Sequence, residues 1–185
     1  MKKLSQLFLT NQFFYSLLSV ATLFTLSFFV KELFIVAWIV FWIWLAILVF
    51  DFILLFSGKG KIEITRVYPE KLSNGDENPM RLIVRSFYPF RTKVEVLEEF
   101  PVQLQIRDKD FMTHLPSFQE SEISFSLRPT QRGIYKFGRC LALVMRLGFF
   151  KRRFVTNQEE EIPCYPSYIQ LRKYQLLGTS NRLNE

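Results

Sequence analysis

The chain has 185 residues, 49% of them hydrophobic, with one histidine, two cysteines and a formal net charge of +7. The apolar and aromatic excess lies in the first 56 residues and nearly all the net positive charge beyond them, which excludes a uniform globular chain and points to an anchor followed by one modest domain. With a single histidine, and with Cys140 and Cys164 far apart in sequence, no CxxC or HExxH metal spacing exists, so no cofactor is expected.

Two apolar runs open the chain. The first is Phe13 to Val30; the second, Leu33 to Phe56, has 24 residues and one charge, Asp51. A hydrocarbon core about 30 Å thick needs roughly 20 apolar residues rising about 1.5 Å each. The second run is therefore read as membrane-spanning. The first, separated from it only by Lys31 and Glu32, is long enough to run antiparallel beside it. The expectation is a transmembrane α-helical hairpin over 1-57, with helices at about 8-30 and 33-56.

Lys2 and Lys3 precede this hairpin and Lys59, Lys61 and Arg66 follow it, against one lysine in its turn. That asymmetry puts both termini and the domain beyond in the cytoplasm, as an integral protein of the bacterial inner membrane. A secretory signal is the competing reading, since Met1-Lys2-Lys3 and an apolar run are its usual opening and Ser19-Val20-Ala21 weakly resembles a cleavage site. Hydrophobicity that continues to Val30 speaks against it, and the second run would stay as an anchor even after cleavage.

Gln12, Ser16, Ser19 and Ser27 fall roughly on one face of the first helix, as small or polar residues do where helices pack closely. Trp38 and Trp42 are available to pack against the first helix or a partner helix. Asp51 would cost about 2.5–3.5 kcal/mol at the bilayer centre, but five residues from Phe56 it approaches the interface, where it is expected to snorkel or pair.

Past Ser57 to Gly60 the apolar period changes to two. Ile62 and Ile64, Leu82 and Val84, Val94 and Val96, Leu104 and Ile106, and Ile123, Phe125 and Leu127 each alternate with polar neighbours, as half-buried strands do. Turn signals fall between them at Ser73 to Asp76, Asn78-Pro79, Tyr88-Pro89, Phe100-Pro101, Arg128-Pro129 and Arg132-Gly133. Further strand-like runs cover Ile134 to Val144 and Phe154 to Tyr165, and Asp110 to Ser121 reads as a longer loop or single helical turn. Seven or eight short strands over 60-169 predict a mainly β soluble domain, a β-sandwich of immunoglobulin-like type, with a small open barrel as the rival; 170-185 is a tail or the start of a further domain.

Chemistry is sparse. Nucleophilic catalysis needs a base and an orienting group, yet His114 stands alone in the expected loop, and Cys140 and Cys164 read as buried or half-buried apolar residues. Glu159 to Glu161 read as a solvated turn, and no phosphate-cradling GxxxxGK[ST] is present. These features predict a protein that is not an enzyme.

Three motifs close the domain in order. Arg132-Gly133-Ile134-Tyr135-Lys136-Phe137-Gly138 is followed by Leu147-Gly148-Phe149-Phe150-Lys151-Arg152-Arg153, then by Tyr165-Pro166. This succession resembles the N-terminal half of the DUF 58 family, membrane-anchored proteins commonly encoded beside MoxR-type AAA+ ATPases. The likeness extends to the two N-terminal apolar runs. Two departures stand out: Met145-Arg146 replaces the family's Asp or Ser followed by Pro, and the C-terminal von Willebrand factor A-like region does not follow. The resemblance implies a membrane-anchored adaptor or assembly protein cooperating with such an ATPase and with other envelope proteins. For Arg132, Gly133, Tyr135, Gly138, Gly148, Phe150, Tyr165 and Pro166 structural roles are expected. Gly133, Gly138 and Gly148 suit positive φ or close backbone approach, and Tyr135 and Tyr165 suit half-buried rings with hydroxyls at the rim.

Arg146, Lys151, Arg152 and Arg153, with Arg139 nearby, form the remaining candidate site. Beside an anionic leaflet each such charge gains about 1 kcal/mol, so the cluster suits membrane lipid; it suits equally an acidic protein partner or a solubilising face. A lipid-binding sensor module is therefore the alternative to the adaptor. No nucleic acid is expected, because the aromatic residues follow a core strand period instead of an exposed stacking row.

Overall fold

The structure, a computed structural model, describes residues 6–57, 60–106, 110–156 and 159–167. Lys2, Lys3, Gly58, Lys59 and the 170-185 tail lie outside the described residues.

Among the described residues the first element is a strand, where the apolar run predicts the start of a helix. β1 (Leu7–Leu9) precedes α1 (Asn11–Ser27) and α2 (Leu33–Ser57), so the first helix is shorter than the 8-30 read from hydrophobicity. An apolar run alone does not separate strand from helix. What decides here is a free sheet edge: β1 pairs antiparallel with β10 (Phe150–Thr156), Leu7 opposite Arg152 and Leu9 opposite Phe150.

The two helices pack antiparallel. Phe13 near the start of α1 meets Trp44 of α2 at 6.1 Å between ring centroids, while Phe24 near its end meets Trp38 at 5.9 Å and Phe41 at 6.2 Å. The Trp44 indole N–H donates to Ser16 Oγ at 3.0 Å, a polar contact between helices of the kind the serine face predicted. Ser27 is buried, whereas Ser19 is exposed and Gln12 faces the β-domain. Trp38 packs on α1 as expected; Trp42 points outward, and Trp44, which the sequence reading passed over, makes the cross-helix bond. Among the described residues α2 is the one helix long and apolar enough to cross a membrane, with mean hydropathy 2.8 over Leu33–Phe56 and most of its residues exposed or half-buried.

The rest is mainly β. A five-stranded sheet runs β1, β10, β9 (Cys140–Met145), β5 (Thr92–Glu98), β6 (Asp110–Leu115), every pairing antiparallel. A second sheet runs β2 (Ile62–Val67), β4 (Asn78–Ser86), β7 (Glu120–Leu127), and a third runs β3 (Leu72–Ser73), β11 (Glu160–Tyr165), β8 (Gly133–Phe137). Val94, Val96, Ala142 and Val144 of the five-stranded sheet face Ile62, Ile64, Leu82 and Val84 of the second, a sandwich-like packing of one apolar face on another. Met80 and Leu127 of the second sheet join Leu72, Tyr135, Phe137, Ile162 and Cys164 of the third in an adjoining core.

Several expectations change. Gln103 to Ile106 form no strand: Val102–Leu104 make a 3₁₀ turn, closed by Gln105 at φ +52°. Asp110 to Ser121 is no loop, because Phe111 and Leu115 turn inward at period two and β6 pairs along its length with β5. His114 thus stands on a strand opposite Lys93. Asn78-Pro79 opens β4; the Asn78 side chain instead serves the preceding turn, accepting from Ser73 N at 2.8 Å and donating to the Asp76 carbonyl at 3.0 Å. The described residues hold eleven strands: β1, β3 and β6 are added, Gln103 to Ile106 drop out, and the two later runs divide into β8 and β9 and into β10 and β11.

Candidate functional site

The last two turns of α2 belong to the β-domain. Leu48, Leu55 and Phe56 are buried in the same core as Val94, Val144 and Phe150, so part of the apolar run is spent on protein instead of solvent or lipid. Asp51 is fully buried, and its carboxylate accepts from the N–H of Leu147 at 3.2 Å, with the amides of Phe149 and Phe150 also directed at it. A buried carboxylate needs such donors; the Leu147 amide serves Oδ1, while Oδ2 is buried without a hydrogen-bond partner among the described residues.

That turn joins β9 to β10 and contains the Leu147-Gly148-Phe149-Phe150 motif. Gly148 lies at φ +100°, a region L side chains rarely adopt, and an added Cβ would run into Gln12 Oε1. From the other arm, Thr10 Oγ1 donates to the carbonyls of Gly148 and Phe149, the second at 3.0 Å, and the Thr10 amide also reaches Phe149 O, at 3.2 Å. One turn therefore grips the start of α1 and the last turns of α2.

Arg152 completes the joint. Its guanidinium donates to the carbonyls of Leu55 at 3.0 Å and Gly60 at 3.4 Å and to Tyr88 Oη at 3.3 Å, and it lies over the rings of Phe56 and Phe154 at 5.3 and 4.8 Å. A cation on the last carbonyls of a helix satisfies orphan acceptors and opposes the helix dipole. The four basic residues adjacent in sequence thus separate in space. Arg152 turns inward on the strand while Lys151 and Arg153 turn outward.

The outward face of the five-stranded sheet forms an open groove of about 710 Å³. Register lays it out in rows: Phe8, Lys151, Met145, Lys93 and His114; Arg153, Leu143, Glu95 and Met112; Leu141, Leu97 and Asp110. An apolar centre of Leu97, Leu141 and Leu143 is thus flanked by cations, with Met112 58% exposed beside it. Lys151 is held by Glu95 at 2.6 Å, and Arg153 sits over Phe8 at 5.4 Å. Arg146 lies at the end of the groove beside the gripping turn, bonded to the carbonyl of Arg91 at 2.9 Å and stacked on Phe90 at 4.5 Å.

The other motif residues are framework. Tyr135 is fully buried, not half-buried: its hydroxyl donates to the Gln131 carbonyl at 2.9 Å, four residues upstream. Gly133 has φ +140°; Gly138 does not lie at positive φ, but its carbonyl accepts from Arg66 at 2.7 Å. Arg66 and Glu98 form a fully buried ion pair beside Tyr68 and Cys140, and burial, with the neighbouring Glu98 charge, pushes both the Cys140 thiol and the Tyr68 hydroxyl well above their ordinary values. Phe150 packs against Phe13 and Phe52 at the joint. Arg132, Tyr165 and Pro166 are exposed, the Tyr165 ring lying under Lys71 at 5.8 Å. Cys140 and Cys164 are buried in separate cores and His114 is in neither, so the sequence's three nucleophile or base candidates are not brought together. Among the described residues no group of three or more His, Cys, Asp or Glu side chains is placed to hold a metal.

No family model and no curated protein matches the chain. Among solved structures it is similar to the CARDB domain of the PF1109 protein of Pyrococcus furiosus, solved in complex with di-metal ions, at 15% identity over 58% of this chain and 94% of that one, TM-score 0.39. It is similar also to an ASH/PapD-like domain of human CEP192, at 12% identity over 58% and 87%, TM-score 0.41. A third likeness, to a beta-glucosidase of Listeria innocua in complex with glucose, covers 16% of that chain at 10% identity, TM-score 0.35. Likenesses this distant fix neither family nor ligand.

Proposed function

We propose that this chain is a non-enzymatic, membrane-anchored adaptor. In this reading α1 and α2 form a hairpin in the bacterial inner membrane, with both termini cytoplasmic, and an immunoglobulin-like β-domain is carried rigidly on its base. The observation that carries it is the joint: Asp51 and Thr10 tie both helices to the β9–β10 turn, and Arg152 of β10 holds the end of α2, so anchor and domain are fastened side by side. A rigid mount suits a protein that presents a surface in fixed orientation. The outward face of the five-stranded sheet, with its Leu97, Leu141 and Leu143 centre and cationic flanks, is that surface. The Tyr135 hydroxyl returning to the backbone upstream resembles the tyrosine corner of immunoglobulin-like sandwiches and supports that description of the domain.

The motif succession supports a protein partner of the MoxR-type AAA+ class, together with other envelope proteins. The alternative, a lipid sensor using the whole basic cluster, fits less well, because Arg152 is turned inward and Lys151 is neutralised by Glu95. The test is co-purification of a MoxR-type ATPase with the full-length protein from native membranes. Leu143→Ser with Arg153→Glu, both on the outward face, is expected to abolish it while the protein remains folded and membrane-bound; undiminished co-purification would overturn the adaptor reading.

A further inference from the structure

We infer that the rim of the β-domain beside the gripping turn is a binding site for anionic phospholipid headgroups, built from Arg146 and Arg91 with Leu147 inserted between the headgroups and the acyl chains. This rests on the membrane-anchor reading above. It comes from level, not from charge alone. Between Leu33 and Asp51 α2 rises about 28 Å, and α1, from Asn11 to Ser27, about 26 Å. Both lengths are close to the hydrocarbon thickness of about 30 Å. Both arms meet the same turn at that depth, Thr10 on Gly148 and Phe149, Asp51 on Leu147. With α2 spanning, the turn therefore lies at the hydrocarbon boundary and not in open cytoplasm.

The residues there fit that boundary. Leu147 is 44% exposed although its amide is tied to Asp51, so an apolar side chain is held outward at the anchor. Arg146 is fixed beside it by the Arg91 carbonyl and the Phe90 ring, and the Arg91 side chain is exposed. Of the carboxylates near this rim among the described residues, Asp51 is fully buried and bonded to the Leu147 amide, and Glu95, which lines the same groove, is paired with Lys151. Two guanidiniums next to an outward leucine match a phosphodiester headgroup with its acyl chain below.

The experiment uses the full chain in nanodiscs. A fluorophore is placed at Leu147→Cys, Trp42→Cys or Val102→Cys in a C140A/C164A background, with lipids that carry quenchers both just below the headgroup and deep in the acyl chain. Quenching at 147 and 42 but not at 102 is expected. Quenching at 42 without 147 overturns this inference and leaves the anchor standing, whereas quenching at neither overturns the anchor and the inference with it. In a second arm, native mass spectrometry compares retained phosphatidylglycerol with phosphatidylcholine. Wild type is expected to prefer the anionic lipid, and R91Q and R146Q to lower that preference about fivefold each. No preference, or one that R91Q and R146Q leave unchanged, overturns the site; R91Q removes a side chain that makes no contact needed by the fold, so it remains informative if R146Q misfolds.

Discussion

Asp51 shows how one residue can be costly in one setting and stabilising in another. In lipid it would be an isolated charge; against the β9–β10 turn it is a buried acceptor for the Leu147 amide. Replacing it by leucine, which suits the helix and removes the acceptor, leaves the Leu147 amide unpaired. The expected loss is about 1–3 kcal/mol in a urea titration of the detergent-solubilised protein, with Asp51→Asn losing less because its carbonyl still accepts. The buried set around Arg66 and Glu98 makes a different prediction. Both Cys140 and Tyr68 hold their protons more tightly folded than unfolded, where they titrate near about 8.5 and 10. Folding is therefore fully favoured by them below the unfolded values and progressively less as pH rises past about 8.5. The thermal midpoint is expected to fall between pH 8 and 10, and to fall less steeply in Cys140→Ala.

At the scale of elements, β10 does two jobs on its two faces. Lys151 and Arg153 point to the groove, whereas Arg152, between them, holds the end of α2. Arg152→Met is expected to lower stability by about 1.5–3 kcal/mol, since it leaves the Leu55 carbonyl without its charged donor, while Arg153→Met stays within about 0.5 kcal/mol. Equal effects in parallel denaturation curves would contradict this division. β1 belongs to the same element pair: by covering the free edge of β10 it removes an unpaired ladder and draws the chain to the position from which α1 starts.

At the scale of the molecule, anchor and domain share a core. Leu48, Leu55 and Phe56 pack with the sheet residues, each contributing about 1.5–3 kcal/mol when fully buried. A fragment beginning at Gly60 lacks these three side chains as well as β1. Its urea midpoint is expected to lie well below that of the intact chain in detergent, and its exposed apolar patch is expected to bind a hydrophobic dye. A fragment as stable as the intact chain would show that the joint is incidental to folding.

How much of this was legible follows from range. Strong local patterns sufficed for α2, whose apolar run is unbroken, and for β2, β4, β5 and β7, whose alternation is plain in residues such as Ile62 and Ile64 or Val94 and Val96. They misled at Leu7–Leu9, where hydrophobicity fits strand and helix alike, and at Asp110–Leu115, where outward Met112 and His114 masked an inward Phe111 and Leu115. The basic cluster was visible as four residues, but period two alone did not say what each would meet. The sequence by itself determined the apolar span, the change of period after it and the mainly β domain, because each is set by neighbours a few residues away. Only the tertiary structure decided that Asp51 meets Leu147, that Thr10 meets Gly148 and that Arg152 meets Leu55. Those contacts join positions 96 to 138 residues apart, and no local pattern encodes which turn a buried charge will find.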